Sequence, residues 1–267
     1  MIAKTEAIVL RIFLFSRTSH IVAWLAEDGT RLTTSIKGAV RPKSAFLGQY
    51  DLFYTCELLY YEREHAGVHV ARECSPLAPR ESLRANWRAA QCASWFAALA
   101  NHASEGQASG RALYRLLAET LDFVADRSGP PPAAVFARYE AKILDICGLA
   151  PNFAPCPACG PDAAAPARFN LASGTYCCRE HAPGDPGDPL IAVSPRTVEL
   201  FETMRRSASL GPQSAIARLG GPAVHALLRF LGLFIRYHLD GIPIDGRATA
   251  LRALGPADGA APRSALA

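Results

Sequence analysis

No stretch of ~18 or more uncharged apolar residues occurs in the chain, so a membrane-spanning helix is not expected. The opening segment MIAKTEAIVLRIFLF puts Glu6 and Arg11 where an export signal needs an unbroken apolar core, and no small-residue cleavage site follows nearby. A cytoplasmic protein without a membrane partner is therefore expected. Signatures of catalysis are missing as well. The phosphate-cradling order G-x4-G-K-[ST] is absent, and no H-E-x-x-H stands on any segment. There is no internal repeat. Acidic residues are scarce near the start: residues 1–50 hold only Glu6, Glu27 and Asp28 against Lys4, Arg11, Arg17, Arg31, Lys37, Arg41 and Lys43. The whole chain carries a formal charge of only +4. The excess of cations is thus concentrated in the first fifth, which points to an anionic partner, nucleic acid being the commonest.

Turning to what is present, residues 6–15, 19–26, 31–37, 52–63 and 67–73 are rich in β-branched and aromatic side chains and are separated by turn residues. Five such segments in about 75 residues predict a small barrel of OB type. The pattern then changes to helical spacing over 82–102, 110–126, 133–147, 195–206 and 223–239. The fold expected is α+β and multi-domain, with an OB-fold barrel over 1–78 and an all-α helical domain over 79–253. A Pro-, Gly- and Cys-rich loop at about 150–190 is inserted in the helical part, and residues 254–267 are expected to form a disordered tail.

Eight cysteines in a chain with no visible export signal favour reduced thiols or a metal over disulfides. Cys56, Cys74, Cys92 and Cys147 lie in apolar segments and are expected to be buried. The other four cluster. Cys156-Pro-Ala-Cys159 is followed, after 18 residues, by Cys178-Arg-Glu-His181. A C-x2-C step lets two sulfurs from one turn reach a single ion, and two knuckles at this separation make a tetrahedral zinc layout. Cys156, Cys159, Cys178 and His181 are the expected ligands, with Cys177 as the alternative to Cys178. Four protein ligands leave no position for water, so the Zn2+ is read as a structural staple whose binding contributes to folding. A zinc deaminase would need a His-x-Glu or Cys-x-Glu element before P-C-x-x-C, and none occurs. No enzymatic activity is expected.

Lys37, Arg41 and Lys43 fall in IKGAVRPKSAFLG, a Gly- and Pro-containing loop after a strand. Such a loop presents cations to phosphates without reading bases. Phe53, Tyr54, Tyr60 and Tyr61 follow. Alternation makes most of them core, and Tyr61, beside Glu62 and Arg63, is the surface candidate for base stacking.

Four segments in order, TEAIVLRIFLFSRTSHIVAWLAEDG, KGAVRPKSAFLGQYDLFYTCELLYYER, FARYEAKILDICGLAPNFAPCPACG and ALLRFLGLFIRYHLDG, resemble the RecO family of bacterial recombination mediators. The resemblance implies an N-terminal OB-fold and a helical body with a zinc loop. It implies binding of single- and double-stranded DNA and annealing of complementary strands. It further implies contacts with RecR and with the C-terminal tail of single-strand-binding protein, in support of RecA loading within the RecFOR pathway, at the bacterial nucleoid. By position, Lys37, Arg41 and Lys43 match the family's basic loop, with Arg11 and Arg17 as secondary DNA contacts. Cys156, Cys159, Cys178 and His181 match its zinc positions. Arg229 and Arg236, one heptad apart on the last long helix, are candidates for the acidic, apolar tail. A different reading of the same residues is a zinc-ribbon scaffold that binds proteins alone. It accounts for the knuckles and leaves the basic loop without a role.

Overall fold

A computed structural model describes residues 1–63, 67–105, 110–154, 168–177, 189–211 and 214–254. Five strands come first: β1 (Ile2–Ser16), β2 (Ser19–Ala26), β3 (Arg31–Ile36), β4 (Thr55–Tyr61) and β5 (His69–Ala78). They close in the order β1-β2-β3-β5-β4, with β4 returning to β1. All pairs are antiparallel except β3 with β5, where Thr34 faces His69 and Ser35 faces Val70. This closed five-stranded barrel fits the expected OB-fold.

The barrel interior follows from alternation. Ala7, Val9, Val22, Trp24, Leu32, Ile36, Cys56, Leu58 and Cys74 point inward and are buried. The pairing of β1 with β2 shifts between Val9 and Arg11. That shift moves the inward phase, so Ile12 rather than Arg11 packs against the core. A buried polar pair inside is satisfied, with Trp24 Nε1 donating to Thr34 Oγ1 at 2.9 Å.

Helices follow: α1 (Ser82–Ala85), α2 (Trp87–Ala103), α3 (Gly110–Ala125) and α4 (Ala133–Ile146). The helix expected over 82–102 is broken at Asn86, which leaves helical geometry so that its side chain can accept from the Ala89 amide. This N-cap outweighs the unbroken alanine-rich pattern. Next come β6 (Arg168–Asn170), β7 (Thr175–Cys177), β8 (Leu190–Ala192), α5 (Pro195–Arg206), a 3-10 turn (Ala215–Arg218), α6 (Pro222–His238) and α7 (Ile244–Ala253). The stretch expected to be loop-like therefore contains a three-stranded antiparallel sheet in the order β7-β6-β8, and the helical part is not purely α. Strands of three residues are too short to show a period of two in sequence. Of the tail expected over 254–267, all but Leu254 lies outside the described residues. Among the described residues no helix is long and apolar enough to cross a membrane.

The chain packs as two compact units, Met1–Pro131 with Asp245–Ala253, and a second built on Pro132–Ile244. Strands give way to helices near Ala78, but the packing boundary comes later, because α2 and α3 are tied to the barrel. Arg80 makes the central tie. Its side chain is buried; Nη1 donates to Phe53 O at 2.6 Å and to Thr55 Oγ1 at 3.0 Å, and Nε donates to Asp122 Oδ1 on α3 at 2.8 Å. Tyr114 of α3 also donates its hydroxyl to Glu6 of β1. In the second unit, α4 is buried along nearly its whole length. There Arg138 donates from Nε to Ser207 Oγ at 2.9 Å and from Nη2 to Ala208 O at 2.8 Å. Phe153, Phe169, Phe201, Phe230 and Phe234 form one aromatic cluster between the small sheet and the helices α5 and α6.

Replacing Arg80 by Met keeps the apolar stem and removes three donated bonds, stranding the Phe53 carbonyl. The Arg80→Met variant is expected to lose about 2–4 kcal/mol of unfolding free energy, read as a lower urea midpoint at unchanged slope.

Candidate nucleic-acid interface

Residues 37–54 connect β3 to β4 without a regular element. A chain of three-residue turns folds them: Arg41 N donates to Gly38 O, Ser44 N to Arg41 O, Leu47 N to Ser44 O and Gln49 N to Phe46 O. The connection is nevertheless anchored. Ala39 belongs to the barrel core, and Phe46 and Tyr50 pack against it. A 2.6 Å hydrogen bond joins the Tyr50 hydroxyl to His20 Nδ1 on β2, and the Tyr50 ring lies 6.1 Å from that of Trp24. Gln49 O accepts from two barrel thiols, Cys56 Sγ at 3.6 Å and Cys74 Sγ at 3.7 Å.

These anchors have electrostatic consequences. Burial, with the neighbouring Cys74, pushes the Tyr50 phenol up to about 12, so the hydroxyl stays neutral and adds no negative charge. A hydrogen bond with Cys74, then burial, raises the Cys56 thiol far above its ordinary range. Cys56 therefore stays a protonated thiol and is not a nucleophile in this state. Cys56, Cys74 and Cys92 are buried free thiols, as expected, and Cys147 is half-buried.

The loop also joins the β1–β2 hairpin. Gly38 N donates to Ser19 Oγ and Val40 N to Thr18 O, both at 3.4 Å. These bonds join the loop that carries Lys37, Arg41 and Lys43 to the tip of the hairpin, beside Arg17; Arg11 stands further along β1, opposite Ala23. All five side chains are exposed. Gly38 adopts φ +69°, and a Cβ there would come within 3.2 Å of Arg41 Cδ, so glycine lets the Arg41 side chain lie across the turn.

Charge pairing separates these cations from their neighbours. Lys4, Arg31, Arg72, Arg80, Arg84 and Arg111 of the same unit pair with Glu57, Glu105, Glu73, Asp122, Asp51 and Glu27 respectively. Among the described residues none of Arg11, Arg17, Lys37, Arg41 and Lys43 has an acidic partner. Uncompensated cations on one face are the electrostatic footprint of a polyanion site.

The aromatics that follow the loop sort as alternation predicts. Phe53, Tyr54 and Tyr60 are buried, while Tyr61 is 46% exposed. Sequence reasoning did not single out Phe13 and Phe15, which are exposed. The available signal was three consecutive apolar residues beside Ser16-Arg17-Thr18-Ser19. A strand with one buried face cannot bury all three.

In the second unit Arg229 and Arg236 lie on the exposed stripe of α6 with His225, Leu233 and Tyr237, opposite the buried Val224, Leu227, Leu231 and Phe234. Cys156, Cys159, Cys178 and His181 lie outside the described residues. Among the described residues no group of three or more Cys, His, Asp and Glu side chains could hold a metal ion. What the described residues do give is the placement of the flanks. Asn152 bridges Thr175 in parallel, accepting from Tyr176 N at 3.1 Å, and Arg168 pairs with Cys177. The chain leading to the first knuckle and the strand leading to the second therefore run side by side in one direction. The donor set and these flanks fit a tetrahedral zinc.

Two family models match in tandem, "Recombination protein O N terminal" over residues 1–80 and "Recombination protein O C terminal" over residues 84–248. The chain belongs to the RecO family. Among similar proteins, the DNA repair protein RecO of Desulforudis audaxviator is 32% identical over 185 residues, 68% of this chain and 72% of that protein. That of Bacillus cytotoxicus is 25% identical over 70% of this chain and 73% of that protein. That of an Exiguobacterium species is 24% identical over 77% and 79%. The first family model covers the barrel, and with it all five unpaired cations of the RecO surface described above.

Removing one hydroxyl should loosen that surface without unfolding the barrel. The Tyr50→Phe variant is expected to lose about 1 kcal/mol of stability and to show faster hydrogen exchange at amides 38–50, with β-strand amides unchanged.

Proposed function

We propose that this RecO-family chain serves DNA repair as a recombination mediator that performs no chemical turnover. It binds single- and double-stranded DNA, anneals complementary strands and, together with RecR, helps load RecA onto strands coated by single-strand-binding protein. The observation that carries the reading is the set of five exposed cations without acidic partners, Arg11, Arg17, Lys37, Arg41 and Lys43, on a hydrogen-bonded hairpin and loop. Such a surface exchanges counterions for phosphates and takes either strand form, because the backbone charge is common to both. Holding two strands on one cationic surface reduces their mutual repulsion, which favours annealing.

The exposed face of α6 supports a second contact. Arg229 and Arg236 flank Leu233 and Tyr237, which suits the acidic, apolar tail of single-strand-binding protein. In the segment between α4 and α5, Zn2+ held by Cys156, Cys159, Cys178 and His181, with Cys177 as the alternative third ligand, would act as a staple. When bound, it supplies cross-linking of a loop that has no large apolar side chains over 155–167 and 178–188 to hold it by burial. The protein works in the cytoplasm, at the nucleoid.

DNA binding is tested by titrating fluorescent single-stranded DNA through a salt series. The Lys37→Ala/Arg41→Ala/Lys43→Ala variant is expected to bind weakly and to have a slope of log K against log salt shallower by roughly 2. An unchanged slope removes the loop from the interface, and absent binding by the parent protein in low salt favours a scaffold that meets proteins alone. Metal analysis of the same sample is expected to give about one zinc per chain. The Cys156→Ser/Cys159→Ser variant is expected to carry none and to be cleaved faster by protease between α4 and α5.

A further inference from the structure

Cations explain how the β1–β2 hairpin meets phosphate, but not why it is apolar. Phe13, Leu14 and Phe15 are consecutive and are 44%, 71% and 71% exposed. Among the described residues of this unit, apart from Met1 and Ile2, the other exposed large apolar side chains stand singly along the chain, as Val40, Leu47, Leu52, Tyr61, Leu77 and Trp87 do. Single exposed apolar residues are ordinary, whereas three in succession mark a contact surface.

The surroundings say what the contact is. No acidic residue occurs between Glu6 and Glu27, and none between Asp28 and Asp51. Residues 7–26 of the hairpin and residues 37–50 of the loop hydrogen-bonded to it therefore carry no acidic side chain. The Arg11 guanidinium stands 4.7 Å from the centre of the Phe13 ring, so a cation and an aromatic face are offered together. The pairing of β1 with β2 shifts between Leu14 and Ser16, leaving Phe15 with no residue opposite it. Such a shift re-aims a side chain away from the regular sheet. A partner that is both polyanionic and furnished with flat apolar groups satisfies all of these features, and single-stranded nucleic acid is that partner.

We propose that Phe13 and Phe15 form a stacking platform for two unpaired bases, while Arg11 and Arg17 and the loop cations hold the phosphates between them. This rests on the DNA-binding reading given above and adds to it a preference for one strand form. Two residues along a strand are ~7 Å apart, about twice the ~3.4 Å step of a stacked strand. Bases seated on both rings must be unstacked from each other, which a duplex does not allow. Duplex DNA then meets the cations alone.

The experiment compares three fluorescent probes at fixed ionic strength: an oligothymidine, an abasic phosphodiester of the same length and charge, and a blunt duplex. The parent protein is expected to prefer oligothymidine over the abasic strand by roughly 25-fold or more, since each ring contributes roughly 5-fold at the low end of base–aromatic stacking. The Phe13→Ala/Phe15→Ala variant is expected to lose that preference while its duplex affinity and salt slope stay unchanged. The Phe13→Trp/Phe15→Trp variant should keep the preference and report it by quenching of the new indoles. Both pairs of residues are exposed, and a melting curve for each variant checks that the barrel is intact. Equal affinity of the parent for oligothymidine and abasic strand overturns the platform, as does a preference that survives the double alanine change. Either result makes the apolar hairpin a protein-docking surface, with phosphate binding by the cations left standing. Failure to bind any of the three probes in low salt is a different result, which removes the DNA-binding reading and the platform with it.

Discussion

A small barrel must fill its interior and cover it, and in this chain residues 37–54, a long connection without a regular element, supply part of the cover. Ala39, Phe46 and Tyr50 supply apolar surface to the barrel core. The Tyr50–His20 hydrogen bond and the Gln49 carbonyl between two thiols fix how the connection lies. The placement of the loop cations depends on this packing. Lys37, Arg41 and Lys43 are held by a loop whose other face is part of a core, so a turn-rich segment positions cations with little of the entropy cost of ordering a free loop.

Electrostatic pairing then divides one population of basic residues into two kinds. Arg80 is buried, donates three bonds and is structural. Lys4, Arg31, Arg84 and Arg111 are exposed but paired, which contributes little to stability and leaves little net field. Among the described residues the five cations of the hairpin and loop have no such partners, a contrast that the modest total charge of +4 does not reveal. The neutral Tyr50 phenol, held up at about 12, leaves that field undiminished.

The second unit uses the same device of placing a polar segment on an apolar support. Phe153 and Phe169 lock the chain around the small sheet into an aromatic cluster with Phe201, Phe230 and Phe234. Asn152 and Thr175 then bring together the two chain segments from which the cysteine knuckles depart. A metal staple in that place would close a loop whose flanks are already adjacent, which keeps the loop entropy to be overcome small.

The residues alone determined a good deal. Runs of β-branched and aromatic side chains over 6–15 and 19–26, and alternation over 31–37, announced the strands, because strand preference is written directly into side-chain type. Helical spacing announced α3 to α6, and the order of motifs pointed to the RecO family. The expectation that Phe53, Tyr54 and Tyr60 are core and Tyr61 is not was also legible, from alternation and the adjoining Glu62 and Arg63. Local pattern could not give the break at Asn86, which depends on one side-chain hydrogen bond, nor the three-residue strands β6 to β8, which exist only through pairing. It could not show that Phe13 and Phe15 stand in water, because a strand looks the same on and beyond a barrel. Nor could it show that Gly38 and Val40 bond to Ser19 and Thr18, joining two basic segments 20 residues apart in sequence into one surface. Composition fixes which side chains carry charge. Only closure of the barrel decides which of them are neutralised by a neighbour and which are left facing outward together.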